Sequence, residues 1–216
     1  MASLWKRLFA RTAQSGAANV RLPEIIRHFN EAAGDEEHFP STIDPRIYHV
    51  QLILEHFGDL NGKRVLDVGC GKGRFARVLR EQFPGSTLVA FDLAEAMLRY
   101  VPGEIGRCAG SMTALPFRSE SFDSAYATES LEHAVDIDRA VAEMCRVVKP
   151  GGRIVIIDKN VEQWGRLKTP EWEKWFGRKQ LEDLLTEHCR RVSSRPISYW
   201  EDVAPDGLFL AWLAKK

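Results

Sequence analysis

From residue 63 onward the chain alternates short apolar runs with amphipathic stretches, and this alternation constrains the fold more than any other feature. KRVLDVG (63–69) ends in glycine and STLVAFD (86–92) in aspartate; IGRCAG (105–110) is weaker; SFDSAYAT (121–128) and RIVIIDK (153–159) follow. Runs of this length, apolar at successive positions, are the pattern of strands covered on both faces. Between them Phe75, Val78, Leu79 and Phe83 fall at helical spacing, LAEAMLRYV (93–101) reads as a second helix, and Ile137, Ala140, Val141, Met144, Val147 and Val148 mark a third that stops at Pro150-Gly151-Gly152. IYHVQLILEHF (47–57) predicts a helix before the first strand. A helix over about 178–188 and strands in RVSSRPISYW and GLFLAWLAK close the chain. Strand and helix in alternation imply an α/β fold, a mostly parallel seven-stranded sheet with helices on both faces and an antiparallel last strand. Ligands of such sheets bind outside the carboxyl ends of the strands. That rule gathers Gly69 to Gly73, Asp92, Ser111, Met112 and residues 128–133 into one site.

The 216 residues suffice for one sizeable core, and 44% hydrophobic with 28% charged residues is an ordinary soluble composition. Thirty basic residues balance thirty acidic ones, which gives no electrostatic case for nucleic acid as the main partner. The four cysteines form no CxxC pair, suiting a reducing, cytoplasmic setting rather than a disulfide or zinc framework. The opening MASLWKRLFARTAQ interleaves Leu4, Trp5, Leu8 and Phe9 with Lys6, Arg7 and Arg11. It reads as a terminal helix packed on the domain or, through residues 3–14, as a peripheral membrane contact. Residues 1–45 form this helix and an irregular lead-in with a short helix around 23–33, and 46–216 form the main domain.

VLDVGCGKGRFA (65–76) carries the strongest chemical signal. Glycines 69, 71 and 73 between a strand and a helix allow a tight turn and close approach of a ligand to the main chain. The dinucleotide fingerprint GxGxxG needs glycine at 74, where this chain has Arg74. Asp67 would repel a pyrophosphate and suits a ligand bearing an amine. Asp92, ending the second strand, can accept both hydroxyls of a ribose, or cap the helix that follows. In AYATESLEHAVD the fourth strand runs into Glu129, Glu132 and His133, groups costly to bury without a partner.

In order and spacing, VLDVGCGKG, FDLAEAML, GSMTALPF, FDSAYATESLEHAVD and RVVKPGGRIVIIDK resemble the class I S-adenosylmethionine-dependent methyltransferases, a Rossmann-like family, over about residues 47–158. The resemblance implies that Gly69, Cys70, Gly71 and Gly73, beside Asp67, hold the methionine part of S-adenosylmethionine. Asp92 would take the ribose and Ser111 and Met112 the adenine, with Leu93 and Thr128 also in the cofactor site. Many relatives carry an acidic residue at Ser111. The E-x-x-E-H spacing is similar to that of ubiquinone-pathway O-methyltransferases and small-RNA 2′-O-methyltransferases, which implies Glu129, Glu132 and His133 as ligands of a divalent metal such as Mg²⁺. Otherwise His133 acts as acid/base or acceptor-positioning group, or caps a helix. The expected activity is methyl transfer to a small-molecule or lipid-like acceptor, at oxygen. The alternatives are a non-catalytic S-adenosylmethionine-binding subunit and a nicotinamide-dependent oxidoreductase, against which Arg74 argues. Trp164, Trp172, Trp175 and Phe176 suggest either a lid over the acceptor or a helix packing an aromatic stripe, with Lys159 and Arg166 as contacts to an anionic acceptor.

Overall fold

The computed structural model describes residues 21–200 and 202–216, so the candidate membrane contact at 3–14 lies outside the described residues. Residues 21–32 lie in a helix, α1. Then follow α2 (Tyr48–Phe57), β1 (Arg64–Val68), α3 (Arg74–Gln82), β2 (Thr87–Asp92), α4 (Glu95–Leu98), β3 (Gly106–Ala109), β4 (Phe122–Thr128), α5 (Ile137–Val147), β5 (Val148–Lys159), α6 (Arg178–Thr186), β6 (Arg191–Ile197) and β7 (Phe209–Lys215). Short 3₁₀ turns occupy Leu131–His133 and Val161–Gln163.

One seven-stranded sheet has the order β3-β2-β1-β4-β5-β7-β6, parallel from β3 to β5, with β7 antiparallel to both β5 and β6. The expected architecture is present. Side chains alternate between faces: Leu66, Ala125, Ile154 and Ile156 pack with α5 and α6, whereas Val65, Tyr126, Val155 and Ile157 pack with α2 and α3. Strands covered on both faces explain the unbroken apolar runs. The order reverses between β1 and β4, and the loops after β1, β2 and β4 open there.

Three local expectations are corrected. The helix after β2 is only four residues long, because the chain bends at Tyr100 and Val101 towards Pro102. Pro150-Gly151-Gly152 does not separate α5 from β5; β5 begins at Val148 and bulges between its pairings with Phe122 and Ser124. A Cβ on Gly152 would lie 2.6 Å from the Asp123 carbonyl oxygen, so the bulge packs too closely for any side chain. Residues 172–176 form no helix despite their spacing. They run as a third layer of loop tied to β5, with Phe176 N–H donating to Lys159 O at 3.0 Å.

The lead-in folds back over the sheet edge. Phe29 of α1 meets Phe39 edge-on at 5.7 Å, and both pack on Ala94 and Met97. Lys72 of the glycine loop is buried and clasps the segment from below, its Nζ donating to Asp35 O at 2.9 Å and to Glu36 Oε1 at 2.7 Å.

Candidate cofactor and acceptor site

The loop after β1 is built on main-chain bonds. Gly69 and Cys70 N–H both donate to Phe91 O, at 2.8 and 3.0 Å, which ties the loop to β2. Gly69 has φ +73°, and a Cβ there would meet Ser130 Cβ at 2.4 Å. Gly71, at φ +53°, has nothing within 4 Å of its Cβ position, so it faces open space. Its N–H donates to Asp92 Oδ2 at 2.7 Å, and Ala94 N–H donates to Oδ1 at 2.8 Å. Asp92 therefore anchors the glycine loop and closes the turn into Ala94, but it does not cap α4, whose N-cap residue is Ala94 with no side-chain cap bond. Burial raises the Asp92 pKa against the pull of these bonds.

Above the loop lies a cleft of about 990 Å³, part of it open to solvent. Of the expected cofactor residues, Gly69, Cys70, Gly71, Asp92, Leu93, Ser111, Met112 and Thr128 line it. Gly73 does not: it turns the chain into α3 at φ +78°. Asp67 does not either, since it is buried beneath the loop beside Tyr126. The opposite wall was missed by the sequence reading. It comes from Leu22, Ile25, Phe29, His38, Phe39 and Pro40 of the lead-in. None of residues 158–176 lines the cleft, so the expected tryptophan lid is absent there; Trp164 is exposed and Trp175 is buried against its edge.

Burial raises the Asp67 carboxyl to about 7, with Asp92 adding to it. A carboxyl whose folded pKa lies above its unfolded value lends stability that is full below the unfolded value and lost as pH rises through the folded one. Asp67→Asn is therefore expected to stabilise the cofactor-free protein more at pH 8 than at pH 5, by about 2–3 kcal/mol of difference. Urea denaturation at both pH values checks this; an equal effect at the two would show that Asp67 is not held protonated.

The expected metal triad is split. Glu129, at φ +50°, turns its carboxylate to Arg74 Nη2 at 3.1 Å and to the Tyr199 hydroxyl at 3.3 Å. Glu132 points the other way, behind the cleft, where Lys159 Nζ lies 2.5 Å from its Oε1 and 3.1 Å from Glu173 Oε1. Among the described residues the compact acidic-imidazole group is Glu132, His133 and Glu173, with ligand atoms within 4.8 Å of one another. A lysine ammonium already sits on its two carboxylates, so the residues present do not fit a divalent ion. Lys159, expected as an exposed contact, is buried. Arg166 pairs instead with Asp206 at 2.8 Å. His133 lines the cleft with Nε2 3.5 Å from Glu132 Oε1 and Nδ1 unpartnered. Burial, then the Lys159 charge, lowers its pKa to about 3, which keeps the imidazole neutral.

A glycine-loop cleft at the β1/β4 switch, with a carboxylate ending β2, is the arrangement in which Rossmann-like folds hold nucleoside ligands. Residues 66–156 match the family described as methyltransferase domain. A malonyl-[acyl-carrier protein] O-methyltransferase of Methylococcus capsulatus is 39% identical over 97 residues, 42% of this chain and 35% of that protein. A demethylmenaquinone methyltransferase of Renibacterium salmoninarum is 32% identical over 152 residues, 69% of this chain and 61% of that protein. The matches thus span about a third to three-fifths of these relatives. Among solved structures, an S-adenosylmethionine-dependent methyltransferase from Mesorhizobium loti superposes with TM-score 0.66 at 18% identity, over 78% of this chain and 97% of that one, a likeness of fold. In sequence and in fold the chain is similar to the class I S-adenosylmethionine-dependent methyltransferases.

Proposed function

We propose that the chain transfers the methyl group of S-adenosylmethionine to an oxygen of a small, largely apolar acceptor. The observation that carries this is the division of the cleft. One half is main chain, Asp92, Ser111 and Met112, fitted to a nucleoside and an amino-acid end. The other half is Leu22, Ile25, Phe29, Ala134 and Val135 around the neutral imidazole of His133. S-adenosylmethionine supplies an electrophilic methyl group on its sulfonium. The protein's work is positioning and exclusion of water.

Each cationic side chain on the cleft wall is occupied: Lys72 by Glu36, Arg74 by Glu129. That disfavours a phosphorylated or polyanionic acceptor. His133 Nδ1 is buried without a partner beneath the Phe29 contact, and an acceptor hydroxyl that displaces this packing would supply the missing hydrogen bond and have its oxygen lone pair aimed. The relative named as an O-methyltransferase supports an oxygen acceptor.

Titration calorimetry with S-adenosylhomocysteine and with NADH tests the cofactor; binding of NADH alone would overturn the reading. A panel of apolar hydroxyl compounds, followed by mass spectrometry for methylated product, tests the acceptor. His133→Ala is expected to bind S-adenosylhomocysteine as the wild type does while losing at least about a hundredfold in turnover. Full turnover by that variant would remove His133 from the reaction.

A further inference from the structure

We propose that Lys159 is the resident cation of the E-x-x-E-H region, a positioning residue standing where that spacing would otherwise place a divalent ion. Three segments distant in sequence converge on its ammonium. The 3₁₀ turn after β4 brings Glu132, the end of β5 brings Asp158 and Lys159 itself, and the loop before α6 brings Glu173 and Trp175.

The convergence is held by main-chain bonds, so it is built rather than incidental. Asp158 Oδ2 accepts Glu132 N–H at 3.1 Å, and Oδ1 accepts Lys159 N–H at 2.9 Å. Lys174 N–H donates to Glu132 O at 2.9 Å, which fixes the loop against the turn. Trp175 Nε1 donates to Glu173 Oε1 at 2.8 Å, aiming that carboxylate at the lysine. The Trp175 ring itself lies 6.0 Å from Nζ. Glu132, Asp158 and Glu173 are all buried, and Lys159 is 9% exposed.

A buried ammonium is unfavourable by itself. Here burial lowers the lysine pKa, but Glu132, Glu173 and Asp158 outweigh it and leave the pKa raised. With carboxylate oxygens of Glu132 and Glu173 at 2.5 and 3.1 Å, the surroundings favour the ammonium form. Its carboxylate partners are also two of the three residues whose ligand atoms cluster within 4.8 Å, so ammonium and divalent ion compete for the same oxygens. Glu132, held by Lys159, in turn backs His133 at 3.5 Å. A tethered cation thus holds the carboxylate that lies behind the imidazole, without a free ion.

The test is metal binding, read apart from activity. Wild-type protein treated with EDTA is titrated with MnCl₂ and ZnCl₂ by calorimetry and by thermal melting. The expected result is no saturable heat and no shift in Tm. Lys159→Ala is expected to melt lower than wild type and to gain a divalent-ion-dependent rise of about 5 °C at a hundredfold excess over Kd. Adding Glu173→Gln to that variant should abolish the gain. Saturable Mn²⁺ or Zn²⁺ binding by the wild type, lost in Glu132→Gln, would overturn the proposal. So would a folded Lys159→Ala that gains no metal response. Should Lys159→Ala not fold, the wild-type titration with Glu132→Gln still decides. No readout requires cofactor or acceptor, so failure here is distinct from failure of the methyl-transfer reading.

Discussion

Substituting alanine for Gly69 is expected to abolish cofactor binding and to lower stability by about 3–4 kcal/mol. Two costs add. The residue sits at φ +73°, in the left-handed region, which costs a side chain about 1–2 kcal/mol. The new Cβ would also overlap Ser130, 2.4 Å from its Cβ and 2.7 Å from its Oγ. Ser130 cannot simply rotate away, because its hydroxyl donates to Val68 O at 2.8 Å and the pair is buried. The loop must then lift from β2, breaking the bonds from Gly69 and Cys70 to Phe91 O that shape the cleft floor. Gly71→Ala is the comparison: its Cβ meets nothing within 4 Å, so stability should fall only by the conformational cost. Chemical denaturation and calorimetry with S-adenosylhomocysteine separate the two. A Gly69→Ala protein that bound within threefold of wild type would show that the loop geometry is not what the cofactor requires.

Asp92→Ala is expected to weaken S-adenosylhomocysteine binding by about 2 kcal/mol, some thirtyfold, through lost charge-assisted bonds to a ribose. It should also cost about 1 kcal/mol of stability, because the carboxylate accepts from Gly71 and Ala94 N–H. The ratio of the two effects decides its role. Were Asp92 only an anchor for the loop and turn, stability would drop and affinity would not. Asp92→Asn, which retains one acceptor oxygen, is expected to fall between.

The sheet was legible because the inner parallel strands are covered on both faces, so Ile154 to Ile157 are apolar without interruption and only Asp67 breaks the run from Val65 to Val68. The glycine loop and Asp92 were legible because their function is local: strand end, turn and helix start lie within a few residues. What stayed hidden depends on contacts far apart in sequence. Lys159 resembles any basic residue until Glu132, 27 positions earlier, is folded against it. Tyr199 carries no signal that its hydroxyl reaches Glu129, 70 positions away. The spacing of Trp172, Trp175 and Phe176 imitates a helix, but each is anchored separately: Trp172 against His28, Trp175 on Glu173, Phe176 on β5. The metal expectation failed for the same reason. E-x-x-E-H places two carboxylates near each other in sequence, whereas the left-handed backbone at Glu129 sends that residue's side chain to Arg74.

The lead-in that Lys72 clasps has an evolutionary consequence. The roof contributed by residues 22–40 lies outside the matched span of 66–156, whereas the cofactor loop lies inside it. A chain built this way can exchange its roof without disturbing its floor. Selectivity for one acceptor over another would then be inherited separately from the capacity to bind the methyl donor, through a segment held by the buried Lys72 ammonium, the Asn30 bond to Ala96 N–H and a small apolar cluster around Met97.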